Sequence, residues 1–112
     1  MPLLTSLWCD NNQLTELDLS SVPLLTDLGC YENQLTDLDL SRVPLLTKLY
    51  CVNNQLTELD LLSVPLLTWL QCHNNQLTEL DIRHCLAIEA ITCDAAVRII
   101  KNPDQDVEVY RG

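Results

Sequence analysis

"VPLLTKLYCVNNQLTELDLLS", residues 43–63, is flanked by near-copies of itself at 1–21, 22–42 and 64–84. The period is 21 residues, and a decayed fifth copy opens at Cys85. Twelve columns are identical in the four full copies. In the third copy they are Pro44, Leu45, Leu46, Thr47, Leu49, Cys51, Asn54, Gln55, Leu56, Thr57, Leu59 and Asp60. A unit this short cannot bury its own apolar face, but stacked units bury it against one another. The spacing therefore predicts a repeat solenoid, mainly β, with repeats over 1–94 (the last, 85–94, partial) and a C-terminal β cap over 95–112.

Within the unit, Leu49 and Cys51 alternate with Lys48, Tyr50 and Val52, the period of a short strand with one face buried. Asn54 follows where the chain must turn. Stacking places Asn12, Asn33, Asn54 and Asn75 in one column, able to bond backbone groups freed at successive turns. The second half, "LTELDL" at 56–61, turns Leu56, Leu59 and Leu61 inward and Glu58 and Asp60 outward. "SVPLL" then closes the coil, with Pro restricting the backbone.

Read this way, "LTKLYCVNNQL" resembles the leucine-rich repeat pattern L-x-x-L-x-L-x-x-N/C-x-L, with Cys in the third apolar slot. The whole unit is similar to the short bacterial subclass (IRREKO-like) built from two nested half-repeats. It departs from that pattern at Val22, Val43 and Val64, where such half-repeats often carry Asn. The resemblance covers residues 1–94. It implies a curved coil with one parallel sheet of short strands, an extended second half, and a role in binding other proteins on the concave face.

Only three columns hold four different residues in the four copies: Ser6, Asp27, Lys48 and Trp69; Trp8, Gly29, Tyr50 and Gln71; and Asp10, Tyr31, Val52 and His73. They alternate with the invariant Leu and Cys, so all twelve should leave one face of the sheet. Of the chain's five aromatics, four fall among these twelve of 112 residues. Trp and Tyr supply large contact area at small entropic cost and dominate the energetic centres of interfaces. Outward strand positions also drift because packing does not constrain them, and β-propensity favours Tyr and Trp there. Yet the outward columns of the second half did not drift alike: Glu16, Asp37, Glu58 and Glu79 stay acidic, and Asp18, Asp39, Asp60 and Asp81 are identical. The expectation is a recognition face for a protein or peptide, with Trp8, Tyr50 and Trp69 as anchors.

Composition narrows the alternatives. Six Lys+Arg against sixteen Asp+Glu, a net charge of −10, argues against nucleic acid and against anionic membrane surfaces. No apolar run is long enough for a membrane span, and the opening "MPLLTSLWCDNN" lacks the basic and apolar regions of a secretory signal. The acidic columns admit three readings: a solvated face, Asp bonding its own local backbone, or a Ca²⁺-binding coil, although no Gly-Asp-rich calcium loop is present. Cys9, Cys30, Cys51, Cys72 and Cys93 recur every 21 residues as an inward ladder, with Cys85 alone in the Val column. They read as buried thiols acting as small hydrophobes, which suits a reducing compartment, rather than as zinc ligands or disulfides. His73 and His84 have no fixed Ser or Cys partner, so the chain reads as a non-enzyme without a cofactor.

At the C-terminal end, Ile91 and Cys93 keep the inward pattern, Ala96 replaces the turn Asn, and "AAVRIIK", "NPDQ" and "DVEVYRG" read as strand, turn and strand. At the other end Met1 occupies the Val column and Leu4, Leu7, Leu14, Leu17 and Leu19 have no cap. The sequence thus predicts a homodimer through the N-terminal repeat, or a cut from a longer array.

Overall fold

The structure is a computed structural model that describes residues 3–10 and 12–111. Met1, in the Val column, lies outside them. The described residues form eight strands and no helix: β1 (Ser6–Trp8), β2 (Asp27–Gly29), β3 (Lys48–Tyr50), β4 (Trp69–Gln71), β5 (Glu79–Asp81), β6 (Ala90–Cys93), β7 (Arg98–Ile100) and β8 (Glu108–Arg111). Six of them make one parallel sheet in the order β1-β2-β3-β4-β6-β8, and β5 pairs with β7 in a second. The expected β-solenoid is the fold, with extents of 39 × 25 × 16 Å.

The register reproduces the repeat. Leu7 pairs with Leu28, Leu28 with Leu49, Leu49 with Leu70, and Leu70 with Ile91. Each step is one 21-residue turn, so identical side chains stack on identical side chains. The Cys column and the Leu columns other than that of Leu24, Leu45 and Leu66, which is exposed, form a single continuous core running from Leu19 to Val97. Burying one Leu contributes roughly 1.5–3 kcal/mol, so a column repeated in every turn suffices without Phe.

Three columns complete the hydrogen bonding. Asn54 donates from Nδ2 to the Cys30 carbonyl of the previous turn at 2.9 Å and to Cys51 O of its own at 3.1 Å. Its Oδ1 accepts the Leu35 N–H at 3.1 Å. Asn33 and Asn75 repeat the pattern, and Asn33 and Asn54 are themselves buried. Each Asn thus ties two turns together where strand pairing has stopped. The Thr column does the same at the strand entrance: Thr26, Thr47 and Thr68 each donate from Oγ1 to the Thr carbonyl one turn earlier, at 3.2, 3.1 and 3.0 Å.

The second turn does not need an Asn. Val22, Val43 and Val64 are buried, and each N–H donates to the Leu carbonyl three residues before it at 3.2 Å. Immediately upstream, the Oδ1 atoms of Asp18, Asp39, Asp60 and Asp81 accept the N–H two residues on. The invariant Asp column is therefore a row of Asx turns, local backbone bonding of the kind that Asp offers.

Past residue 94 the coil continues on a shorter step. β8 pairs with β6 with Glu108 opposite Ala90, and β7 pairs with β5 with Arg98 opposite Glu79. Where Ala96 has lost the turn Asn, Asp94 accepts the N–H groups of Asn74 and Asn75 instead, at 2.8 and 3.2 Å. Gln105 then bonds the Ile82 and Cys85 carbonyls, at 2.8 and 3.3 Å.

Candidate functional site

The three variable columns lie on the six-stranded sheet, and the cross-strand register lines them up as rows. Ser6, Asp27, Lys48 and Trp69 are in one register line; Trp8, Gly29, Tyr50 and Gln71 are in the next. Asp10, Tyr31, Val52 and His73 follow just past the strand ends. The strands are about 4.8 Å apart, close enough for large side chains to reach across one neighbour to the next.

That reach organises the face. Trp8 leans over Gly29 and stacks on Tyr50, with ring centroids 5.3 Å apart and planes inclined by 29°. A Cβ at Gly29 would lie 2.0 Å from Trp8 Cε3, so only glycine leaves room for the indole. Tyr31 meets Tyr50 edge-on at 6.0 Å, and its hydroxyl donates to Gln71 Oε1 at 3.0 Å. Burial raises the Tyr31 hydroxyl pKa, with Tyr50 and Asp10 adding to the effect. Three aromatics from three successive turns thus form one shelf, geometrically of the stacked and edge-to-face kinds that aromatic pairs prefer.

The twelve positions are not equally exposed. Ser6, Lys48, Trp8 and Trp69 are open to solvent, the two indoles at 53% and 38%. Asp27, Asp10, Tyr31, Tyr50, Gln71 and His73 are half-buried. Gly29 and Val52 are buried, so both shape the shelf from beneath rather than offering contact area. Asp10 is also committed, since its Oδ1 accepts the Tyr31 N–H at 2.8 Å. His73 Nδ1 is, among the described residues, the one buried side-chain nitrogen or oxygen without a hydrogen-bond partner. Such an atom costs about 1–3 kcal/mol when no water or ligand reaches it.

The periodicity hides the far end of this face. Tyr110 on β8 sits opposite Thr92, which sits opposite Gln71, so Tyr110 continues the row of Trp8 and Tyr50. The fifth aromatic therefore joins the other four on the same sheet. A 21-residue comparison misses it because the last step, Thr92 to Tyr110, spans 18 residues. The signal available in the sequence was the alternation of "DVEVYRG" with a Tyr at an outward position.

Elsewhere the chemistry is structural. The six cysteines are free, and all but Cys9 are buried. Desolvation pushes the thiols of Cys30 and Cys72 up to about 12 and that of Cys85 to about 11. Cys9, Cys51 and Cys72 place Sγ 3.4, 3.6 and 3.5 Å from carbonyls of the next turn. The acidic columns line shallow hollows on the second-half face, among them one bounded by Asp37, Asp39, Glu58 and Asp60. Among the described residues no three His, Cys, Asp or Glu side chains converge as a metal-ligand set.

No family model matches the sequence, and no curated protein does. Among solved structures, the chain is similar to the functional domain of InlJ from Listeria monocytogenes, whose description notes a cysteine ladder. The two are 32% identical with a TM-score of 0.77 over 93% of this chain and 26% of that one. The chain therefore spans about a quarter of the length of the structure it matches. Its own column of Cys9, Cys30, Cys51, Cys72 and Cys93 is a ladder of the same description.

Proposed function

We propose that the chain, a leucine-rich repeat solenoid, is a binding module that holds a protein or peptide partner against the variable face of its six-stranded sheet. The observation that carries this is the convergence of all five aromatics on that face, with Trp8 stacked on Tyr50 across Gly29 and Tyr31 edge-on to Tyr50. Trp8, Tyr50 and Trp69 serve as anchors; Tyr31, Asp27, Lys48 and His73 tune the choice of partner. A rigid shelf loses little entropy on binding, which is the advantage of a preorganised surface. The cysteines supply no rival nucleophile to this reading: burial raises the Cys30 and Cys72 thiols to about 12, which leaves no thiolate at neutral pH.

The test compares the protein with a variant carrying Trp8→Ser, Tyr31→Ser, Tyr50→Ser and Trp69→Ser, after circular dichroism has shown that both fold. A partner captured by the first and lost by the second supports the reading. Identical capture by both would remove it. The rival is pairing of two copies through the first repeat, where β1 is hydrogen-bonded to β2 alone among the described strands. Light scattering over a dilution series decides it, since a constant monomer mass leaves no role for such pairing.

A further inference from the structure

Trp69, Ala90 and Glu108 occupy one register line on three neighbouring strands. The middle residue is small and buried, so its neighbours rise on either side of it as walls. Glu89 and Asp106 complete the surround of an open hollow of about 350 Å³. Three of its five lining residues are carboxylates, one is an indole, and none is cationic. Among the described residues the single ion pair is Arg83 with Asp81, so Glu89, Asp106 and Glu108 are not neutralised within the chain. Tyr110 donates its hydroxyl to Glu108 Oε2, and among the described residues Oε1 has no hydrogen-bond partner.

We infer that this hollow is the pocket for an arginine side chain of the bound partner, an inference that rests on the binding face described above. Across two strand spacings, roughly 10 Å separate the Trp69 and Glu108 backbones. A planar guanidinium fits between them, with one face on the indole and its N–H fork toward the carboxylates. Cations are attracted to the face of Trp within about 6 Å of the ring centroid. Arginine is preferred over lysine because its plane stacks and its donors engage a carboxylate in pairs, whereas an ammonium is a compact, strongly hydrated point charge. The pocket also places the charge preference of a very acidic chain at a definite position on the face. The partner segment is basic there and apolar or aromatic toward Trp8 and Tyr50.

The experiment follows the indole Nε1–H resonances of Trp8 and Trp69 by NMR, assigned with a Trp69→Phe variant. The probe is an acetylated, amidated tetrapeptide alternating Arg and Gly, compared with its Lys and Gln counterparts. A saturable shift of Trp69, weaker with Lys and absent with Gln, supports the pocket. In the combined variant Glu89→Gln, Asp106→Asn and Glu108→Gln, the affinity should fall about tenfold or more, the loss expected for charge-assisted contacts. An equal response to the Gln peptide, or unchanged affinity in that variant, overturns the inference. The two proposals fail separately. A protein partner that needs the aromatic shelf but is still held by the carboxylate variant removes the arginine pocket and leaves the binding face standing.

Discussion

Glu32, Asn53 and Asn74 share one column and one backbone state, with φ of 56°, 60° and 57°. This left-handed region is disfavoured for side chains with a Cβ, and Asn tolerates it better than most because its short amide bonds locally. Glu32 is the less suited residue type in the same setting: its N–H bonds Val52 O at 3.0 Å, as Asn53 N–H bonds His73 O at 3.1 Å, and the side chains of Glu32, Asn53 and Asn74 are all exposed. Replacing Glu32 with Asn should stabilise the protein by about 0.5–1 kcal/mol without altering the shelf. Urea unfolding followed by circular dichroism measures this, and an unchanged midpoint would mean that the strain is relieved elsewhere. The same column shows what a repeat comparison can and cannot tell. The neighbouring Asn54 column marked the turn in the sequence, but the positive φ at Glu32, Asn53 and Asn74 is visible only in the folded backbone.

The element that repeats most faithfully is the Asx turn closing each coil, and its chemistry makes stability depend on pH. Hydrogen bonds from the Ser41 hydroxyl and N–H hold the Asp39 carboxyl below its ordinary value of 3.8, and the Ser20 N–H does the same for Asp18. The Arg83 guanidinium takes Asp81 to about 2. A carboxyl whose pKa is lower in the folded state binds fewer protons there than in the unfolded chain. Its stabilisation is complete above about pH 4 and is lost as the pH falls toward 2. Asp18 and Asp39 are exposed and the Asp81 side chain is 42% accessible, so screening keeps each effect small. Asp39→Asn retains an oxygen that accepts the Ser41 N–H but cannot titrate. Its urea midpoint should lie slightly below that of the parent near pH 7, fall less steeply between pH 4 and pH 2, and meet the parent's at the acid end. Parallel curves would assign the acid sensitivity to other groups.

For the molecule as a whole, stacking identical turns makes any one of them removable. Deleting residues 43–63 would join Arg42 to Val64 and set Leu28 against Leu70, contacts of the kind already present between successive turns. The shortened chain should fold in one cooperative transition at lower urea, because a repeat and one interface are gone. It should keep the response of Trp69 to the arginine peptide, since β4, β6 and β8 are untouched, and lose the Trp8–Tyr50 stack. Failure to fold would show that the copies are not interchangeable despite their identity. Loss of the peptide response in a folded variant would show that the pocket depends on turns it does not touch.

The sequence by itself determined the coil, its 21-residue pitch, the Leu and Cys interior, the Asn ladder and the face on which the variable residues stand. Those features depend on periodicity, and a period is a property of the chain before it folds. Tertiary structure decided what periodicity cannot express. It shortened the last step to 18 residues and so brought Tyr110 and Glu108 onto the sheet. It assigned the Asp column to turns, and it buried Gly29 and Val52 among neighbours that remain accessible. It also laid Trp8 across one strand onto Tyr50. Apart from the Asp turns, which are local, each of these joins residues on successive turns of the coil. Their outcome depends on the size of what lies between, glycine under an indole or alanine between tryptophan and glutamate, and not on the spacing of any column.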